Sequence, residues 1–261
     1  MAKPIRAKKS FGQHFLHRED IAERIAYSLI RTDDYERVLE IGPGQGMLTQ
    51  YLNNRSFTLH AVEADRDMVP ILQKKFPDLA VNLVQEDFLK LNFPAIFGDH
   101  QFAIIGNFPY NISSQILIRM VELRAQVPEL VGMFQKEVAQ RVVAPPGSKT
   151  YGVISVLCQA FYEGEYLFKV GPGAFNPPPK VDSAVIRMTR RENYELGCDH
   201  GLFRKVVKQA FSQRRKMLRN TMKLFLEGSK RLEDEFFTLR PERLSVADFV
   251  KLTNWVAEAR V

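Results

Sequence analysis

Asn107-Phe108-Pro109-Tyr110, inside the hexapeptide GNFPYN at 106–111, sets an amide, a conformationally fixed turn and a phenol ring side by side. The Asn107 side-chain oxygen can accept one hydrogen bond from an amine. The carbonyl of Phe108 or Pro109 can accept a second, held in place because proline fixes the local backbone. Two acceptors on one amine have a chemical use. The exocyclic amine of adenine delocalises its lone pair into the ring and is a poor nucleophile. Holding both N–H bonds localises that pair and aims it at a methyl carbon. No strong base is needed, because the methylated aminium is acidic and loses its proton to water. Tyr110 is suited to stack on the base, which must be unpaired or flipped out of a helix to arrive. The residues suit methylation of an adenine N6 amine; a β-turn with two packed aromatics is the plain alternative.

A second group lies upstream, in LEIGPGQGMLT at 39–49. Gly42, Gly44 and Gly46 let the backbone turn sharply and approach a ligand, and the N–H groups of a following helix favour polar or anionic ligand atoms. Glu63, twenty-one residues after Gly42, can accept both ribose hydroxyls of a nucleoside. The dinucleotide pattern G-x-G-x-x-G would need glycine at 47, where this chain has Met47. Its spacing is G-x-G-x-G, preceded by the acid Glu40. Asp87, in QEDF, is placed to receive an adenine amino group. Taken singly, Glu63 or Asp87 is most simply a helix cap or a loop residue. Taken in order, they describe a nucleoside pocket at the carboxyl edge of a sheet. The arrangement resembles S-adenosylmethionine-dependent methyltransferases, with S-adenosylmethionine as cofactor and no metal.

These groups need a frame. Short apolar runs at 37–41, 58–63, 80–84, 102–106 and 130–135 alternate with helical stretches such as 46–54 and 66–76. That alternation predicts an α/β fold, a central mostly parallel sheet with helices on both faces. Residues 136–144 and 151–162 read as helices. Runs at 166–170 and 181–189, separated by GPGAFNPPPK, read as a hairpin closing one sheet edge. After Arg190-Arg191-Glu192-Asn193 no strong strand follows. The expected division is a Rossmann-like domain over 1–190 and a small all-helical C-terminal domain over 191–261.

Net charge is +7, and its distribution matters more than its size. Residues 204–231 hold ten Lys or Arg against one acid, Glu227, and residues 1–9 add four cations. Such segments on a near-neutral body point to a polyanion, although a solvated helix face is the plain reading of one basic helix. In QAFSQRRKMLRN, Phe211, Met217 and Leu218 are expected in the core, with Arg214, Arg215, Lys216 and Arg219 facing phosphate. No apolar run approaches the ~18 residues of a membrane span. The N-terminus lacks the apolar segment of a secretory signal. Cys158 and Cys198 form neither a metal spacing nor a disulfide framework, so a cytoplasmic protein is expected. His14 and His17 lack a third metal ligand. Cys198-Asp199-His200 cannot form a triad from adjacent positions.

KKSFGQHFL, EIGPGQG, GNFPYNIS, FQKEVAQR, FNPPPKVDSAV and QAFSQRRKMLRN, in this order from residue 8 onward, resemble the ribosomal RNA small-subunit adenine dimethyltransferases. The resemblance implies dimethylation of two adjacent adenines near the 3′ end of small-subunit 16S rRNA, with the small ribosomal subunit as partner and a monomeric enzyme. It implies that His14, Leu16, Gly42, Glu63, Asp87 and Asn107 line the S-adenosylmethionine site. It also makes 107–110 the adenine site, with Phe175 closing on the base from its other face; by itself Phe175 would read as a core cap. Two positions depart from the family pattern: His14, where asparagine is common, and Phe108, where leucine is. The related large-subunit methyltransferases of the antibiotic-resistance type, and an assembly factor whose catalysis is dispensable, are the other readings.

Overall fold

The computed structural model of the protein describes residues 13–259. Its strands are β1 (Phe15–Leu16), β2 (Arg37–Ile41), β3 (Thr58–Val62), β4 (Leu83–Val84), β5 (Phe102–Asn107), β6 (Glu129–Gln135), β7 (Tyr162–Val170), β8 (Phe175–Asn176) and β9 (Ser183–Arg190). Seven form one sheet in the order β4-β3-β2-β5-β6-β9-β7, while β1 and β8 make a separate two-stranded ribbon. Strands β4, β3, β2, β5 and β6 run parallel, and β9 lies antiparallel on β6. The run FAIIG of β5 is buried throughout, as befits a strand covered on both faces. The helices α1 (Glu19–Ala26), α2 (Thr49–Leu52), α3 (Val69–Lys75), α4 (Phe93–Phe97) and α5 (Ser113–Glu122) follow strands in turn. In α5, Ser113, Ile116, Leu117 and Met120 form the buried stripe that helical spacing predicts.

The chain passes from β2 outward to β3 and β4, then returns to β5 on the other side of β2. The strand order therefore reverses between β2 and β5, and such a reversal opens a crevice at the carboxyl ends of the strands. This is the α/β methyltransferase-type architecture anticipated above, followed by helices.

The chain divides into two compact units whose bounds differ from the expected division. One unit comprises residues 13–139 with Gly164–Arg190; the other comprises Gln140–Glu163 with residues 191–259. The segment carrying the last three residues of α6 (Lys136–Val142) and all of α7 (Val153–Gln159) groups with the C-terminal helices. Those are α8 (His200–Ala210), α9 (Leu218–Thr221), α10 (Lys223–Leu226) and α11 (Val246–Glu258). Asp199 caps α8 by accepting from the Leu202 N–H at 2.6 Å, which accounts for the CDH tripeptide. Ser245 and Asp248 form a reciprocal capping box on α11. Two expected elements are shorter than their apolar runs. The run 80–84 keeps only β4, because Pro77–Asn82 winds into 3₁₀ turns, and the helix after the glycines is Thr49–Leu52.

Candidate active site

At the carboxyl ends of β2, β3, β4 and β5 lies a cavity of about 540 Å³, within the first unit. Its wall contains His14, Leu16, Gly42, Gly44, Glu63, Asp87, Asn107, Phe108, Pro109 and Tyr110 of the residues singled out for the cofactor and the base, and lacks Gly46 and Phe175. Its ionisable lining among the described residues is Glu40, Glu63, Glu86, Asp87, His14 and Tyr110, with no lysine or arginine.

The glycine loop needs its glycines. Gly42, Gly44 and Gly46 all have positive φ, at 65°, 57° and 78°. A Cβ on Gly46 would also collide with the Phe76 ring, so the turn could carry no other residue without moving that ring. Glu63 fastens the loop: its Oε2 accepts the Gly44 N–H at 2.9 Å and its Oε1 the Asp65 N–H at 2.8 Å. Burial pushes the Glu63 carboxyl up, and the two backbone donors oppose that shift. Asp87 is a helix cap and a cavity residue at once, since its Oδ1 accepts the Leu89 N–H at 3.0 Å.

Asn107 ends β5. Its Nδ2 donates to the His14 carbonyl at 3.1 Å, and this contact fixes which way the amide faces. Nδ2 is engaged, so Oδ1 is the atom left to accept from a ligand. Tyr110 is held from two sides. Its hydroxyl shares a 2.5 Å hydrogen bond with Ser183 of β9, and its ring stacks on His14 with centroids 5.4 Å apart. Burial pushes the Tyr110 phenol up, so it stays neutral and aromatic in use. His14 Nδ1 also meets the Pro177 carbonyl at 2.8 Å.

Phe108 is 1% exposed, and its ring packs edge-on to Phe134 at 5.1 Å. The room for it comes from glycine on two strands. A Cβ on Gly106 would lie 2.8 Å from Phe108 Cε1, and one on Gly132 would overlap the same ring. Phe108 thus contributes its backbone to the cavity and its ring to the core. Sequence reading missed Gly132, although a glycine inside the buried strand ELVGMFQ is the usual mark of a close approach.

Phe175 departs from expectation. It is 3% exposed, pairs with Leu16 across the β1–β8 ribbon and sits in the hydrophobic core, off the cavity wall. The antiparallel register turns its ring inward, as the plain core-cap reading has it.

The basic segment belongs to the second unit. Arg215, Lys216 and Arg219 are exposed, whereas Arg214 donates from Nη2 to the Lys149 carbonyl at 2.6 Å. Arg214 is therefore a fastener of the 148–149 turn, unlike its three exposed neighbours. Leu218 is buried and Phe211 packs on Phe249, but Met217 is 46% exposed and not core. The cations at 1–9 lie outside the described residues.

A profile of the Ribosomal RNA adenine dimethylase family matches residues 5–258. The Ribosomal RNA small subunit methyltransferase A of Flavobacterium johnsoniae is 53% identical over 250 residues, 96% of this chain and 95% of its own. That of Bacteroides fragilis is 50% identical over 258 residues, 98% of this chain and 94% of its own. Among solved structures, a dimethyladenosine transferase from Plasmodium falciparum shares the fold at a TM-score of 0.78 and 24% identity, covering 95% of this chain and 99% of that one. The 23S rRNA methyltransferase ErmE shares it at 0.65 and 23% identity, covering 91% and 99%. With a matching profile over nearly its whole length and relatives of this identity, the chain belongs to the ribosomal RNA adenine dimethylase family.

Proposed function

We propose that the protein is an S-adenosylmethionine-dependent dimethyltransferase acting on N6 of two adjacent adenines near the 3′ end of small-subunit 16S rRNA. It works as a monomer in the cytoplasm on the small ribosomal subunit. The observation that carries this reading is the Asn107 amide, turned by the His14 carbonyl so that Oδ1 is left to accept from an amine. The cavity suits the cofactor. Its volume is that of a small-molecule site, its acids match ribose hydroxyls and a cation, and no lysine or arginine among the described residues awaits a phosphate. Glu63, Asp87 and the 42–46 loop would hold the nucleoside part, and Leu16 closes over it.

The bound cofactor supplies an electrophilic methyl group. The protein's own part is orientation. Asn107 Oδ1 and a carbonyl of the fixed Pro109 turn hold the two N–H bonds, directing the nitrogen lone pair. Tyr110 supports the base by stacking. Relatives named for the small subunit, at about half identity over the full chain, favour that substrate over large-subunit rRNA. The test is radiolabelled methyl transfer to small and large subunits from an unmethylated strain, followed by nucleoside analysis. Dimethyladenosine in small subunits only is the expected result; label confined to large subunits would reject it.

A further inference from the structure

Glu40 sits one residue from the end of β2, 1% exposed and on the cavity wall. Its strand neighbours are Ala61 and Ile105, which offer nothing polar from their side chains. It has one partner among the described residues, the Thr49 hydroxyl, which donates to Oε2 at 2.7 Å. The contrast with Glu63, matched by two backbone N–H groups, is plain. The other ionisable groups around the site add no cation. Glu63 and Asp65 follow β3, and Glu86 and Asp87 follow β4. Lys75 of α3 reaches the Gln45 carbonyl at 3.4 Å but does not line the cavity. Arg37, at the far end of β2, is spent on the Phe97 carbonyl. His14 faces Tyr110 and Pro177. A buried carboxylate without a cation is disfavoured, and the neutral acid takes its place. Burial, and to a lesser degree the charge of Glu63, push the Glu40 carboxyl up to about 8.

We propose that Glu40 reads the charge of the methyl donor: neutral in the free protein, it gives up its proton when the sulfonium-bearing cofactor fills the cavity, and so favours that cofactor over its neutral-sulfur product. This rests on the function proposed above. A cation in the cavity repays the cost of ionising Glu40. When the methyl group passes to adenine, sulfur keeps the C–S bonding pair and becomes neutral. The Glu40 carboxylate then lacks a partner again and takes a proton back from solvent, loosening the product. One proton leaves on binding and one returns after transfer, so the cycle balances. Glu40 is here a specificity-determining residue, distinct from the groups that hold ribose or amine.

Calorimetry decides this without turnover. S-adenosylmethionine and S-adenosylhomocysteine are titrated into the wild-type protein and Glu40→Gln at pH 7, in two buffers of different ionisation enthalpy. For the wild type, the sulfonium ligand should release close to one proton per site more than S-adenosylhomocysteine does. The protein's preference for it over S-adenosylhomocysteine should also rise several-fold from pH 7 to pH 9. Both ligands carry an α-amine, whose own titration appears in the variant too and is subtracted with it. In Glu40→Gln the excess proton release and the pH-dependent preference should vanish. Equal proton release by the two ligands on the wild-type protein overturns the proposal, and that comparison holds even if the variant fails to fold. The same excess in a folded variant also overturns it. Failure of either ligand to bind the wild type would reject the cofactor reading itself, and Glu40's role with it.

Discussion

If Asn107 orients the target amine as proposed, its replacement separates binding from chemistry. Its Nδ2 is already used by the His14 carbonyl, so replacing it with alanine removes the ligand acceptor and that tether together. Loss of a positioned group of this kind costs on the order of 10²–10³ in rate, by analogy with oxyanion-hole donors. The expected outcome for Asn107→Ala is normal subunit binding with methylation slowed by that factor, read in single-turnover assays. The second methylation should suffer more, because a monomethylated amine has one N–H left to hold. Near-normal rates for both products would remove Asn107 from the mechanism. Gly132 makes a subtler case. Gly132→Ala drives a methyl group into the Phe108 ring and so should displace the backbone proposed to supply the second acceptor. It should lower kcat while leaving S-adenosylmethionine affinity near normal, and Phe108→Leu, a smaller side chain, should restore much of the loss; no recovery would mean that Gly132 matters for strand packing alone. At this scale the sequence showed residue types well and ring directions poorly. Asn107, Glu63 and Asp87 could be placed on one cavity wall because strand-then-turn spacing sets all three at the carboxyl ends of parallel strands. Phe175 was not, because only the β1–β8 register, formed by segments 160 residues apart, decides which way its ring points.

The strands that carry the site also carry buried carboxyl groups, and these give elements their own pH response. Glu40 has a raised folded-state pKa, so its proton is bound more tightly in the folded state than in the unfolded chain. Such a group contributes stability that is complete below the unfolded value and is lost as pH rises through the folded one. With Glu40 at about 8 and Glu63 also raised, the ligand-free protein should lose stability between about pH 5 and 8. Thermal melts should show Tm falling over that window, with a shallower fall in Glu40→Gln; a Tm rising across it would contradict the assignment. Glu129 shows why element boundaries are harder to read than elements. The apolar run suggests a strand from Leu130, yet β6 begins at Glu129, fully buried. Its carboxylate accepts from the Ile30 and Arg31 N–H groups at 3.0 Å each and from the Tyr35 hydroxyl at 2.8 Å. These donors lie more than ninety residues away, where no local pattern reports them. Glu129→Ala would strand all three at the end of α1 and the approach to β2, costing at least ~3 kcal/mol at 1–3 kcal/mol per buried unpaired group, measurable by chemical denaturation.

On the scale of the whole molecule, the two units differ in the charge they present. The cavity unit carries a donor-sized pocket whose described lining is acidic, and the helical unit carries exposed Arg215, Lys216 and Arg219. The basic character of 204–231 was fully legible, because counting charges needs no structure. What counting missed is that Arg214 is spent on backbone carbonyls and that 140–163 packs with these helices, since both depend on contacts distant in sequence. A phosphate contact releases counterions, and each one lost lowers the slope of log K against log salt by about 0.7–0.9. Replacing Arg215, Lys216 and Arg219 with alanine should therefore flatten the salt dependence of small-subunit binding by about 2–3 if all three meet phosphate. Arg214→Ala should leave that slope nearly unchanged and instead lower the stability of the helical unit, by loss of its hydrogen bond to Lys149. Neither change reaches the cavity residues, so S-adenosylmethionine affinity should stay at the wild-type value in both. A triple variant with an unaltered slope would make these cations a solvated face and move the RNA contact elsewhere, with the basic segment at 1–9 the next place to look.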